Sequence, residues 1–367
     1  MSHFMMHPLD LVISPEADND YEVEGLLNPA AARGPDGELY LFPRMVAKGN
    51  FSRIGIMRVL FDDEGNPRGV ERLGVALEPE ASYELRSNGE GGCEDPRVTY
   101  VEPLQCYLMT YTAFSPVGPR IALAVSDDLF TWRRLGLATF EPYEGIEFDG
   151  VDNKDATGFP RAVPNPDGRY EFAILHRPLF PGTRPEETVG LDDRDVDLHR
   201  ESIWISYTPM ELSGTDPRQL RHFTSHHRLA APVSPWENLK IGSGTPPVMT
   251  RHGWLFIYHG VSEKIESSGQ PLLTYRAGVM VLSTEYPQDL IYRSHRPILV
   301  PPTSNGPRAT ASNVVFPTGI DRRTDIDEPH RYDVYYGVND FHIGVARLDV
   351  PEVIPHQPLK DPSGVTL

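Results

Sequence analysis

Short runs of Tyr, Val, Ile, Leu and Phe recur along this chain, each of strand length and each preceded by a polar segment carrying Gly, Pro, Asn or Asp. The pattern appears five times. The first copy opens at Leu27-Asn28-Pro29-Ala30 and continues through Leu39–Arg44 and Ile54–Val59. The second opens at Glu94-Asp95-Pro96-Arg97, behind Gly91 and Gly92, and ends in Ile121–Val125. The third runs from Asn153-Lys154-Asp155-Ala156 through Tyr170–Arg177 to Ile203–Tyr207. The fourth opens at Gly242–Pro247 and includes Trp254–Gly260 and Tyr275–Val281; the fifth opens at Ser312–Val315 and includes Tyr332–Gly337 and Phe341–Ala346.

Openings near residues 28, 95, 155, 245 and 313 recur at intervals of about 60 to 90 residues, with three or four strand-like runs in each. A repeat of that size predicts radially arranged sheets, and we expect an all-β, five-bladed β-propeller forming a single catalytic domain over 1–367. In that architecture the innermost strands line a central channel. Polar residues far apart in sequence then meet at one mouth. Two stretches interrupt the pattern, Pro181–Arg200 and Ser213–Ser234, and read as loops, lids or interface arms that leave a homo-oligomer open. Ser126–Trp132 reads as a structural corner, and Trp236 as a packed or sugar-stacking aromatic.

Composition narrows the class. Thirty-six prolines and 31 glycines are too many for a helical protein. A net charge of −18 argues against a nucleic-acid partner, which would need clustered Lys and Arg. No stretch reaches the ~20 apolar residues of a membrane span, and Met1–Asp10 lacks the basic start and apolar core of a secretory signal. Cys93 and Cys106 alone predict no disulfide framework. A cytoplasmic setting follows as the expectation. His199, His226 and His227 lack companions at ligand spacing, so no metal is expected.

The predicted channel mouth gathers Asn28, Arg44, Asp95, Arg97, Asn153, Lys154, Asp155, Arg177, His259, Tyr275 and Asp340. Amides, carboxylates and aromatic groups suit a polyhydroxylated ligand. Lys154, Arg177, His259 and Tyr275 would form an anion site in an otherwise acidic protein. Sugar plus phosphate is the pair of ligands this mixture predicts.

Six motifs in order carry a resemblance over about Asn28 to Asp349: Glu94–Arg97, Asn153–Ala156, His176-Arg177-Pro178, Tyr258–Val261, Tyr275–Gly278 and Asn313–Phe316. With them the chain resembles glycoside hydrolase family 130, the β-mannoside phosphorylases and related β-mannosidases. The resemblance implies inverting phosphorolysis of a β-mannoside to α-mannose 1-phosphate and an acceptor sugar, with inorganic phosphate as co-substrate and no cofactor. It implies that Asp95 is the general acid, its proton passing through a hydroxyl of the bound mannose. Asn28, Arg44 and Asp340 would hold the mannosyl unit, with Arg97, Asn153 and Asp155 in the adjoining substrate-binding motifs. Lys154, Arg177, His259 and Tyr275 would bind phosphate.

One position departs from the pattern: Asp152 stands where phosphorolytic relatives often carry Arg. An acid there repels phosphate unless a base compensates. A hydrolase is therefore the alternative, and it needs a second carboxylate ~6.5–9.5 Å from the acid to activate water. Glu94, Asp152, Asp155 and Glu263 are the candidates. A third reading is a non-catalytic sugar-binding module, in which Asp95 only accepts hydrogen bonds from sugar hydroxyls.

Overall fold

Strands such as Leu39–Ala47 and Tyr170–Leu179 are buried along almost their whole length instead of on alternate residues. This requires cover on both faces of the sheet, and neighbouring sheets supply it. The structure, a computed structural model, describes residues 3–86, 89–180, 200–209, 216–265, 269–302, 313–328 and 330–354. It is all-β, with 59% strand and 5% helix.

Five antiparallel units follow one another. The first consists of Gly25–Arg33, Leu39–Ala47, Phe51–Phe61 and Pro67–Leu77; the second, of Gly91–Val101, Cys106–Ser115, Gly118–Ser126 and Arg133–Leu137. A short parallel pairing of Phe51 and Ser52 with Gly91 and Gly92 fuses these two into one eight-stranded sheet. Gly92 has φ +109°, and a Cβ there would overlap the Ser52 carbonyl oxygen, so only glycine allows this approach. The third unit is Asp152–Gly158, Tyr170–Leu179, Ile203–Thr208 and Ser225–Ala230; the fourth is Lys240–Ser243, Gly253–Ile265, Pro271–Leu282 and Leu290–Arg293. The last combines Val315–Arg322, Arg331–Val338 and His342–Asp349 with the first strand of the chain, Met5–Ile13.

Five apolar clusters lie between consecutive units. Phe42 and Ile54 meet Cys93 and Met109; Leu108 and Ile121 meet Phe172 and Trp204. Ile205 and Tyr207 meet Trp254 and Phe256; Leu255 and Val279 meet Val334 and Leu348. A fifth cluster packs Tyr335 and Val345 of the last unit on Leu41 and Met57 of the first. Each unit therefore shares an apolar cluster with the next, and the last shares one with the first.

The expected loop at 213–234 is in part a strand. Ser225–Ala230 forms the outer edge of the third unit, pairing with Ile203–Thr208. His226, read as part of a histidine-rich loop, is buried by that pairing. Residues 181–199 and 213–215, to which the lid or interface-arm expectation also applied, lie outside the described residues, as do His199 and Ser312.

Candidate active site

The first strands of three units contain the same irregularity. Register shifts separate Leu27 from Ala30, Glu94 from Arg97, and Lys154 from Thr157. Within those bulges Asn28, Asp95 and Asp155 adopt φ of 47°, 48° and 59°. Asn and Asp tolerate this left-handed region better than other side chains, and the extra residue re-aims the side chain away from the regular pleat. Pro29 and Pro96, which have no N–H to pair, follow two of the three. Asp340 sits with Asn339 at the centre of the turn that the Phe341 N–H closes on the Val338 carbonyl, between Arg331–Val338 and His342–Asp349; both have positive φ, as a type I′ turn requires.

These devices bring eight of the eleven sequence-selected residues to one cavity of about 420 Å³: Asn28, Arg44, Asp95, Lys154, Asp155, Arg177, Tyr275 and Asp340. A larger cavity of about 960 Å³, lined by Tyr100, Arg161, Met249 and Arg322 among others, holds none of them.

On one side of the smaller cavity, Asn28 Nδ2 donates to Asp95 Oδ1 at 2.8 Å and Arg44 Nη1 lies 3.4 Å from the same oxygen. Arg44 Nη2 also donates to Glu94 Oε1 at 2.9 Å. Burial works to raise the Asp95 pKa, but Arg44, Arg97, the Asn28 amide and Lys154 outweigh it and hold the carboxyl below its usual range. Asp340 moves the other way: burial and then the Asp95 charge push it up, against Arg44. The two carboxyls of this cavity are thus shifted in opposite directions.

On the other side, Arg177 is the cross-strand partner of Lys154 and donates from Nε to Asp155 Oδ2 at 2.7 Å. Arg177 Nη1 also makes a close ion pair with Glu201. Asp155 is further held by Arg97, 3.6 Å away, and His259 Nε2 lies 3.5 Å from its Oδ2. Burial alone would raise Asp155, yet Arg177, His259 and Arg97 drive it well below the carboxylate range.

Three of the predicted residues lie behind the cavity wall. Arg97 is almost fully buried and donates to the carbonyls of Ser243 and Gly244, tying the second unit's opening to the fourth. His259 is fully buried against Phe316, ring centroids 4.4 Å apart, with Tyr275 beyond. Asn153 turns to His176, at the start of a buried polar chain: His176 Nε2 reaches Ser206 Oγ at 2.6 Å, Ser206 Oγ lies 2.8 Å from His226 Nδ1, and His226 Nε2 lies 2.9 Å from the Glu141 carbonyl. A carbonyl only accepts, so His226 Nε2 carries the hydrogen and its Nδ1 accepts from Ser206. Ser206 Oγ then accepts from His176 Nε2, whose Nδ1 takes a hydrogen from the Asn153 amide nitrogen.

This chain and His259 make stability acid-sensitive. Burial holds His226 down at about 4, His259 at about 3 and His176 well below its ordinary value. The unfolded chain protonates these rings near ~6.5 while the folded protein does not, so it binds more protons in that window and stability falls as pH falls. From pH 7.5 to pH 5 we expect a loss of about 2 kcal/mol per ring, read as a lower denaturant midpoint. An unchanged midpoint would mean the rings are already charged in the folded protein.

The candidate water-activating carboxylates are all engaged or displaced. Glu94 is held by Arg44, and Asp155 by Arg177. Asp152 forms a close ion pair with Arg120 and, like the exposed Glu263, is not on the cavity wall. The Asp152 charge that appeared hostile to phosphate is therefore neutralised by a neighbouring strand.

Sequence reasoning missed Lys240, which lines the cavity beside Arg177; burial and Arg177 lower its pKa to about 8. It begins the first strand of the fourth unit, two residues before the opening read from Gly242. It also missed Glu201, which pairs with Arg177 and lies 3.9 Å from Lys240 Nζ. Among the described residues no cluster of metal-ligating groups was found.

A family model for glycoside hydrolase family 130, described as beta-1,4-mannooligosaccharide phosphorylase, matches residues 9–356. The 1,2-beta-oligomannan phosphorylase of Thermoanaerobacter sp. (strain X514) is 29% identical over 349 residues, covering 93% of this chain and 96% of that protein. The beta-1,2-mannobiose phosphorylase of Listeria innocua, solved with beta-1,2-mannobiose, shares the fold at 22% identity, with a TM-score of 0.62 over 94% of each chain. A structure from work on family members that are glycoside hydrolases targeting beta-1,2 mannosidic linkages in Candida mannan gives a TM-score of 0.67 at 20% identity over 97% of each chain.

Proposed function

The chain belongs to glycoside hydrolase family 130, and from that premise we propose that it cleaves β-mannosides by inverting phosphorolysis, releasing α-mannose 1-phosphate and an acceptor sugar. The observation that carries this reading is the convergence of Lys154, Arg177, Lys240 and Tyr275 on the same cavity as Asp95. Phosphate is already an anionic nucleophile and needs cations, not a base. Engagement of the four candidate carboxylates by other groups, or their absence from the wall, favours phosphate over water as the attacking species.

In this reading Asn28, Arg44 and Asp340 hold the mannosyl unit. Arg97, Asn153 and Asp155 keep the walls in register, with Asp155 orienting Arg177 and His259 backing Tyr275. A phosphate oxygen bonds to C1 from the α face as the β C1–O bond breaks. The leaving oxygen takes its proton from Asp95, relayed by a mannose hydroxyl, and the hydrogen that HPO₄²⁻ brings makes good that proton in the net reaction. The five units and their closure by the first strand favour a single five-bladed propeller with this cavity at one end of its channel. Inorganic phosphate is the only co-substrate required, which suits a cytoplasmic setting.

The test is product analysis on β-linked mannobioses with and without inorganic phosphate. Cleavage should depend on phosphate, yield α-mannose 1-phosphate, and run backwards from that product and an acceptor. Free mannose released at one rate in both conditions would make the enzyme a hydrolase. Binding without cleavage would leave only a sugar-binding module.

A further inference from the structure

Two cations of the proposed anion site flank one carboxylate. Glu201 Oε2 makes a close ion pair with Arg177 Nη1, and the same oxygen lies 3.9 Å from Lys240 Nζ. Arg177 and Lys240 both line the cavity. The Glu201 side chain is only 18% exposed, and its backbone carbonyl accepts from the Ile241 N–H, which fixes it beside the strand that carries Lys240. Asp155 already serves Arg177 through Nε. Glu201, which does not itself line the cavity, is therefore a second carboxylate on the same guanidinium, at Nη1 and away from the Nε that Asp155 holds.

From this juxtaposition, and resting on the phosphorolytic reading above, we infer that Glu201 is a specificity residue: it accepts the hydrogen of a P–OH group and so admits hydrogen phosphate while rejecting sulfate. An oxyanion held by Arg177 Nη1 and Lys240 Nζ brings one of its oxygens close to Glu201 Oε2, because both cations already flank that atom. A carboxylate has lone pairs and no hydrogen, so a bare anionic oxygen facing it is repelled at short range in a site of low dielectric. Near neutral pH inorganic phosphate carries at least one hydrogen and arsenate does likewise, whereas sulfate carries none. With a hydrogen between the two oxygens the contact becomes a charge-assisted hydrogen bond. Without one, it remains a clash between two acceptors. The other account of Glu201 is a passive counter-ion that swings out when any anion arrives, and it predicts no such discrimination.

The experiment is calorimetric titration of inorganic phosphate, arsenate and sulfate into the wild-type protein and into Glu201→Gln, at pH 7.5 and constant ionic strength. In the wild type, phosphate and arsenate should bind at least about tenfold more tightly than sulfate. That preference should shrink about tenfold in Glu201→Gln, chiefly through a gain in sulfate, because the amide donates to the bare oxygen the carboxylate repelled. Equal wild-type affinity for sulfate and phosphate overturns the inference without any variant, which covers the case of a substitution that does not fold. An equal gain for all three anions in Glu201→Gln also overturns it and leaves a passive counter-ion. If the wild type binds none of the anions, the phosphate site itself is refuted and the inference falls with it. Phosphate binding with an unaltered preference in Glu201→Gln refutes the inference alone.

Discussion

Asp95→Asn should lower turnover by about 10²- to 10⁴-fold while sugar binding stays near wild type, because general acid assistance is usually worth that much. The substitution is mild structurally. Asn tolerates the φ of +48° as Asp does, and its amide oxygen can still accept from Asn28 Nδ2. Arg44 keeps Glu94 as a partner, so no cation is left bare. What disappears is the ionisable proton. In the ligand-free protein Arg44 and Arg97 hold Asp95 below its usual range, so it is ionised at neutral pH and must gain its proton as the ligands bind. A phosphate dianion beside Lys154, Arg177 and Lys240, together with a sugar that excludes water, opposes those cations and favours the protonated acid. Asp340 is the rival, since burial and the Asp95 charge raise its pKa in the free protein. Asp340→Asn separates the two. It should raise KM for the mannoside more than it lowers kcat if Asp340 holds sugar, and it should reproduce the Asp95→Asn loss in kcat if Asp340 is the donor. Near-normal turnover in Asp95→Asn would move the acid role away from Asp95.

Much of this site could be read from the chain because its residues sit at special backbone positions. Asn28-Pro29, Asp95-Pro96 and Asp155-Ala156 are bulges in the first strands of three units, and the sequence marks them as short polar interruptions before apolar runs. The all-β class was legible for the same reason, since Gly and Pro punctuate strand-length runs throughout. Orientation was less legible. Nothing in the spelling of Asn153 tells that its amide turns to His176, because that depends on a chain through Ser206 and His226 of two neighbouring strands. Arg97 reads as a wall residue and proves to be a buried tie to Ser243 and Gly244. Lys240 and Glu201 escaped because each is a charge at the start of a strand-like run, indistinguishable in sequence from a solvated face. Pairing of Tyr170–Leu179 with Ile203–Thr208 brings Glu201 to Arg177, and packing of the third unit on the fourth brings Lys240. The base that compensates Asp152 was hidden for a similar reason: its partner Arg120 lies on the adjoining unit, 32 residues earlier.

Arg177→Ala should weaken phosphate use by about 10- to 100-fold, read as KM for phosphate in phosphorolysis and KM for α-mannose 1-phosphate in synthesis, with mannoside binding much less affected. The magnitude follows from the loss of a charge-assisted hydrogen bond, worth about 1.5–3 kcal/mol. A stability penalty accompanies it, since Arg177 also satisfies Asp155. Removing one member of a buried ion pair typically costs about 3–5 kcal/mol, although Arg97, 3.6 Å from Asp155, retains part of the compensation here. Lost activity in Arg177→Ala therefore has to be read beside Arg177→Lys. Lysine keeps the charge near Asp155 but cannot serve Asp155 and phosphate at once with the fixed fork of a guanidinium. If Arg177 binds phosphate, Arg177→Lys folds near normally and still shows a raised KM for phosphate at an almost unchanged mannoside KM. If Arg177 only neutralises Asp155, Arg177→Lys restores phosphate use together with stability, and Lys154 and Lys240 carry the anion without it. Phosphate-independent release of mannose that persists in both variants would instead identify water as the nucleophile. A carboxylate freed from its arginine, Asp155 first among them, would then be the group activating it.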